Sequence, residues 1–218
     1  LNSDSTQTTK AIQTLSGLYA ITHHDHVSQE QMLHEVEAAI RGGARTLQYR
    51  DKHSNPQQKQ QRALALQTLC KRLQVSFLIN DDVELCAAIH ADGVHLGTED
   101  AHISDARNQL GQSAIIGATC HDSLTLALSA QEQGADYIAL GRFFPSPSKA
   151  HAKPAQLDCI NQIKNNCHLP IVAIGGITLD NAPRLIELGI DAIAVINDLY
   201  QQNSIQQHAQ KLSELFNY

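Results

Sequence analysis

No stretch of this sequence approaches the ~18 consecutive apolar residues of a membrane-spanning helix, and its polar start, LNSDSTQTTK, lacks the apolar core of a secretory signal. A soluble, intracellular protein without a membrane partner is expected. An excess of positive charge is missing too. Sixteen Lys and Arg stand against 22 Asp and Glu, a formal net charge of −6 with His neutral, which argues against nucleic acid or an anionic membrane as main partner. Any anionic substrate must then be held by a local cluster of cations. Cys70, Cys86, Cys120, Cys159 and Cys167 form no C-x-x-C pair and are odd in number, so reduced thiols in a cytoplasm are expected. The sole methionine is Met32, so the chain as given does not begin at a translation start and reads as a processed or excised piece. Residues 1–15 are expected to be a flexible lead-in to one domain over 16–218.

What is present has a rhythm. Short apolar, β-branched runs recur at LYAIT (18–22), TLQYR (46–50), FLIN (77–80), GVHLG (93–97), AIIGAT (114–119), YIALG (137–141), IVAIG (171–175) and AIAVI (192–196). Between them lie stretches with helical spacing, such as Met32, Val36, Ala39 and Ile40, then Leu64, Leu66, Leu69 and Leu73, then Leu124, Leu126, Ala127 and Ala130. RGGARTLQYR and EQGADYIAL share a Gly-Ala step before a strand, and ELGIDAIAV repeats it with Ile for Ala. Eight βα units within 218 residues suit a single (β/α)8 barrel, an α/β fold. An open doubly wound sheet fits less well, because no G-x-G-x-x-G follows the first strand.

In such a barrel the residues just after each strand gather at the C-terminal face, where active sites are built. Here those residues include Arg50, Lys52 and Lys149 beside Asp81, Asp82, Glu99 and Asp100. Cations and carboxylates together point to a metal-bound diphosphate: carboxylates take Mg²⁺ through one or two oxygens, and Arg and Lys neutralise the remaining phosphate charge. Taken singly, each motif has a plainer reading. Asn80-Asp81-Asp82 is a common helix start, GTED a capping loop, QYRDK a solvated turn, and GRFFPSPSK a rigid connector. Gly175-Gly176 is either a tight turn or part of the backbone phosphate site that often follows strands seven and eight. HHDH, from His23 to His26, is too contiguous to converge on zinc. Cys120 and His121 are neighbours on a strand end and point in different directions, so covalent catalysis by the pair is disfavoured.

The ordered set LYAIT, LQYRDK, LINDD, GVHLGTED, IIGATCH, GADYIALGRFFPSPSK, PIVAIGGIT and AIAVIND resembles the thiamin phosphate synthase family, also called thiamin-phosphate pyrophosphorylase, from residue 17 to about 198. The resemblance implies a (β/α)8 barrel with its active site at the C-terminal ends of the strands. It also implies a Mg²⁺-dependent transferase of small-molecule substrates, joining hydroxymethylpyrimidine diphosphate to hydroxyethylthiazole phosphate with release of diphosphate. Gln48, Arg50, Lys52, Asn80 and Lys149 would hold the pyrimidine diphosphate, and Asp81 and Asp100 would bind Mg²⁺. Ser146, Ser148, Gly176 and the Ile196–Asn197 backbone would seat the thiazole phosphate, and Thr119 stands where the family usually has Ser. Asp82 would begin a helix. Arg142 and Asn197 depart from the family's Pro and Ser. The chemistry expected is dissociative, with Arg50, Lys52 and Lys149 stabilising the departing diphosphate and no protein nucleophile. The competing readings are a thiazole tautomerase of the same superfamily and a noncatalytic paralogue that binds thiamin intermediates.

Overall fold

The computed structural model describes residues 15–23, 27–145 and 154–216. Its centre is a closed barrel of eight parallel strands, each hydrogen-bonded to the next and the last to the first. In chain order they are β1 (Gly17–Ile21), β2 (Ala44–Tyr49), β3 (Ser76–Asn80), β4 (Gly93–Leu96), β5 (Ile115–His121), β6 (Tyr137–Gly141), β7 (Ile171–Ile174) and β8 (Ala192–Val195). Around them lie α1 (Gln29–Arg41), α2 (Pro56–Leu73), α3 (Val83–Ile89), α4 (Ile103–Leu110), α5 (Leu124–Glu132), α6 (Asp158–Lys164), α7 (Ala182–Glu187), the short α8 (Asn197–Tyr200) and α9 (Ile205–Glu214). No helix among the described residues is long and apolar enough to cross a membrane.

Both faces of these strands are covered, which is why their sequences read as unbroken apolar runs rather than alternating ones. Alternation survives as a division between two cores. Leu18, Ala20, Leu47, Phe77, Ile79, Val94, Leu96, Ile116 and Ile138 point outward and pack under the helices, whereas Tyr19, Ile21, Leu78, Tyr137, Val172, Ala192 and Ala194 fill the interior. Leu15, the last residue of the expected lead-in, belongs to that interior cluster and is buried. Gly117 lies beside the Tyr137 ring, and a Cβ there would collide with it.

A repeated device closes the N-terminal end. The carboxylates of Asp92, Asp136 and Asp191, each just ahead of an even-numbered strand, accept the amide of a residue in the preceding strand: Phe77 at 2.8 Å, Ile116 at 2.7 Å and Ile171 at 2.8 Å. This accounts for the similarity of GADYIAL and GIDAIAV. Arg107 reinforces the second copy, donating to Asp136 at 2.6 Å and to the Ala114 carbonyl at 2.6 Å.

The helix faces differ in detail from the expected ones. α1 buries Met32, Val36, Ala39 and Ile40 as its spacing predicts. α2 buries Ala63, Leu66, Gln67, Leu69 and Cys70, while Leu64 is 44% exposed. Leu64 and Leu66 lie two positions apart, roughly 200° around the helix, so they cannot share a face. For the same reason α5 buries Ala127 and Ala130 and leaves Leu126 at 37% exposure.

Candidate active site

Strand alternation sends Gln48, Asn80 and Thr119 toward the barrel interior at its C-terminal mouth. Asn80 stands in register with His95 on the next strand. The strand would turn the following residue outward, but Asp81 adopts a left-handed φ of 66°, while its amide still donates to the His95 carbonyl at 2.8 Å. Its carboxylate reaches Lys52 Nζ at 3.3 Å and lies within hydrogen-bonding contact of Asp100. Asp100 is anchored by the Gly97 amide at 2.6 Å. Burial and then the Asp81 carboxyl beside it raise the Asp100 pKa. Two oxygen-donor carboxylates held against each other, next to the Lys52 ammonium, fit a divalent cation such as Mg²⁺.

Asp82 takes the ordinary role. It caps α3 by accepting the Leu85 amide at 2.9 Å and holds Lys59 Nζ at 2.9 Å. A cleft of about 640 Å³ opens beside this cluster, lined by Asp51, Lys52, Lys59, Asn80, Asp81 and Asp82. A concavity of similar size, about 650 Å³, lies at the opposite end of the barrel near Asp92 and Asp136, away from every strand-end residue named above. Its polar lining joins the strand-tying Asp92 and Asp136 with neutral groups such as Gln109, Gln112 and Ser113, and includes no Lys or Arg among the described residues.

Arg50 is fixed through its backbone. Its amide donates to the buried Thr22 Oγ1 at 2.9 Å, and Thr22 Oγ1 donates back to the Arg50 carbonyl at 3.2 Å. Asp51, which the motif reading passed over, organises the turn that presents Lys52. Its carboxylate accepts from Tyr49 OH at 2.9 Å, the His53 amide at 3.1 Å and the Ser54 amide at 2.9 Å. Burial acts to raise its pKa, but the bonds from Ser54, His53 and Tyr49 together outweigh it and hold the value down to about 2.

Beneath the mouth runs a buried polar chain that the sequence patterns concealed inside apolar strands. Gln48 Nε2 donates to Tyr19 OH at 2.8 Å, and Tyr19 OH meets Tyr137 OH at 2.9 Å. Tyr137 OH meets His95 Nδ1 at 2.9 Å, and His95 Nε2 meets Thr119 Oγ1 at 3.0 Å. The two ends are residues expected at the site, and the three between are not.

On the far side, Phe143 and Phe144 donate their amides to the carbonyls of Ile174 at 3.3 Å and Gly175 at 3.0 Å, joining the segments after β6 and β7. Gly176, at φ 66°, lies so close to the Phe144 and Pro145 carbonyls that no Cβ would fit. Its own carbonyl accepts from Asn181 Nδ2 at 2.9 Å. Ile196 and Asn197 open α8, whose Asp198 is held by His208 Nε2 at 2.6 Å. Ser146, Ser148 and Lys149 lie outside the described residues, as do residues 24–26 of HHDH. Cys120 faces the outer core, is buried, and has its thiol pushed up to about 12, first by burial; His121 is exposed. That separation fits the expectation against covalent catalysis by the pair.

A family model described as thiamine monophosphate synthase matches residues 18–199. The chain is 49% identical over 208 residues to a thiamine-phosphate synthase of Alcanivorax borkumensis, covering 94% of this chain and 96% of that one. It is 43% identical to the thiamine-phosphate synthase of Thioalkalivibrio sulfidiphilus, covering 95% and 99%. Among solved structures it superposes on a thiamine phosphate pyrophosphorylase from Pyrococcus furiosus with a TM-score of 0.84 at 31% identity, covering 94% and 98%. With most of its length matched in sequence and in fold, the chain belongs to the thiamine monophosphate synthase family.

Proposed function

We infer that the protein is a thiamine-phosphate synthase, a transferase that joins hydroxymethylpyrimidine diphosphate to hydroxyethylthiazole phosphate and releases diphosphate. The observation that carries the reading is the meeting of Lys52, Asp81 and Asp100 at the mouth of a barrel whose relatives, 43–49% identical, bear that name. A tautomerase needs a proton-transfer group and has no use for two carboxylates held together beside the Lys52 ammonium.

Asp81 and Asp100 would hold Mg²⁺, which when bound supplies positive charge to the leaving diphosphate. Arg50, Lys52 and Lys149 complete that neutralisation from the protein side. The methylene carbon–oxygen bond breaks, its electron pair leaves with the diphosphate, and the aminopyrimidine spreads the positive charge that develops. The thiazole nitrogen then donates its lone pair to form the new carbon–nitrogen bond. Asn80 contacts the pyrimidine diphosphate, and Ser146, Ser148, Gly176 and the Ile196–Asn197 backbone seat the thiazole phosphate. Positioning supplies much of the rate, because both reactants are held for an in-line meeting. The five cysteines are free and buried, which suits a soluble protein of the reducing cytoplasm.

Mixing the purified protein with both substrates and Mg²⁺ tests the reading. Thiamin phosphate and diphosphate are expected in equal amounts; isomerised thiazole without condensation would establish the tautomerase instead.

A further inference from the structure

The polar chain inside the barrel has a direction that can be worked out atom by atom. Tyr19 and Tyr137 are both buried, and burial raises the pKa of each, so each hydroxyl keeps its proton. A phenol has one proton to give. The Tyr19 hydroxyl already accepts from Gln48 Nε2, and its other hydrogen-bond neighbour among the described residues is Tyr137, so its proton goes there. The Tyr137 hydroxyl accepts that bond and donates its own proton to His95 Nδ1. A ring nitrogen that accepts carries no hydrogen, so the neutral imidazole has its proton on Nε2 and donates it to Thr119 Oγ1. Thr119 accepts, and its hydroxyl proton remains to be given. With Gln48 donating at one end, reversing the chain would leave the buried Tyr19 proton without an acceptor among the described residues.

We propose that Tyr19 and Tyr137 are positioning residues that hold His95 as its Nε2–H tautomer and so keep the Thr119 hydroxyl as a donor to an acceptor atom of the bound pyrimidine diphosphate. This rests on the pyrimidine diphosphate reading of the mouth. The tautomer itself does not depend on it. Thr119 is only partly buried and sits at the C-terminal end of β5, on the face shared with Gln48 and Asn80. The three intermediate residues never touch substrate. Their contribution is to prevent the histidine from capturing the Thr119 proton for itself.

Two measurements test this on the whole protein. Two-bond ¹⁵N–¹H correlation spectra of the ligand-free wild type, with the His95 signals identified by their loss in His95→Gln, should show hydrogen on Nε2 and none on Nδ1. A proton on Nδ1 would overturn the proposal whatever the enzyme's activity. Tyr137→Phe and Thr119→Val should each raise KM for the pyrimidine diphosphate roughly tenfold, the worth of about one hydrogen bond, and the double variant should also stay near tenfold. Multiplication to roughly a hundredfold would mean that Tyr137 acts independently of Thr119 and would sink the positioning role. The expected tautomer without any thiamin phosphate formation would count against the functional reading, leaving the direction of the chain standing.

Discussion

Asp81 and Asp82 are adjacent acidic residues with unrelated tasks, and one backbone angle separates them. The left-handed turn at Asp81 brings its carboxylate to Lys52 and Asp100, while Asp82, one step on, caps α3. The helix start at Asp82 was legible, and so was a place for Asp81 at the barrel mouth, because a strand end followed by Asn-Asp-Asp offers both. Tyr19, His95 and Tyr137 were not: each sits inside an apolar run, where a polar residue reads as one more buried position until its partners across the barrel are known. Asp51 was hidden by the charged residues on either side of it. Its role predicts a pH dependence. Its pKa is depressed from the usual 3.8 to about 2 in the folded state, so its stabilisation is complete above about pH 4 and disappears as pH falls toward 2. Asp51→Asn should therefore unfold at lower denaturant concentration at pH 7, by about 2 kcal/mol, with the gap to wild type closing as the solution is acidified through that window. Equal stability at pH 7 would contradict this role. Lys52 is largely exposed with one carboxylate neighbour, so on the proposed function its loss should be felt in turnover and not in the fold. Lys52→Ala should lower kcat/KM for the pyrimidine diphosphate roughly 100-fold with an unchanged melting temperature, measured by steady-state kinetics and calorimetry on the same preparation.

Elements were easier to place than their ends. All eight strands form where apolar runs mark them, but β2 begins two residues earlier than its run, at Ala44, and β5 continues to His121. The β5 extension coincides with a register shift against β6 between Thr119 and His121, a property of the pairing that no local pattern encodes. The expected stripes of α2 and α5 hold at Leu66, Leu69, Ala127 and Ala130 and fail at Leu64 and Leu126, since hydrophobicity alone does not decide which side of a helix meets the barrel. Of the repeated Gly-Ala/Ile steps, two marked a real unit: those before β6 and β8 lead to Asp136 and Asp191, each of which ties down the neighbouring strand, whereas the one before β2 carries Arg45 in place of an aspartate. Arg107 locks one such aspartate and is itself mostly buried, with 11% of its side chain exposed. Arg107→Ala leaves the Asp136 carboxylate and the Ala114 carbonyl without this partner, and should cost about 2–3 kcal/mol in denaturant unfolding while kcat stays at the wild-type value. A loss of turnover without a loss of stability would show that this end of the barrel communicates with the mouth.

The whole molecule divides its labour between two ends. The N-terminal end is closed by carboxylate–amide ties and by Leu15 packed into the interior, and the C-terminal end gathers the Lys52, Asp81 and Asp100 charges that the proposed function assigns to substrate and metal. Leu15→Ala should cost about 2–5 kcal/mol by opening a cavity under Tyr19, detectable as a lower midpoint in denaturant; an unchanged midpoint would place Leu15 with the lead-in after all. Barrel closure was legible from the count of βα units, but the closing Leu15 was not, because a single leucine beside a polar segment has no periodicity to identify it. The claim that joins both ends to function is that Asp81 and Asp100 load a metal onto a leaving diphosphate. Its most direct measurement is the rate of thiamin phosphate formation across a Mg²⁺ titration for wild type and Asp100→Asn. The wild type should lose activity on chelation and regain it with Mg²⁺, and the variant should need roughly 10- to 100-fold more Mg²⁺ and turn over far more slowly. A variant with wild-type rate at limiting Mg²⁺ would contradict the account.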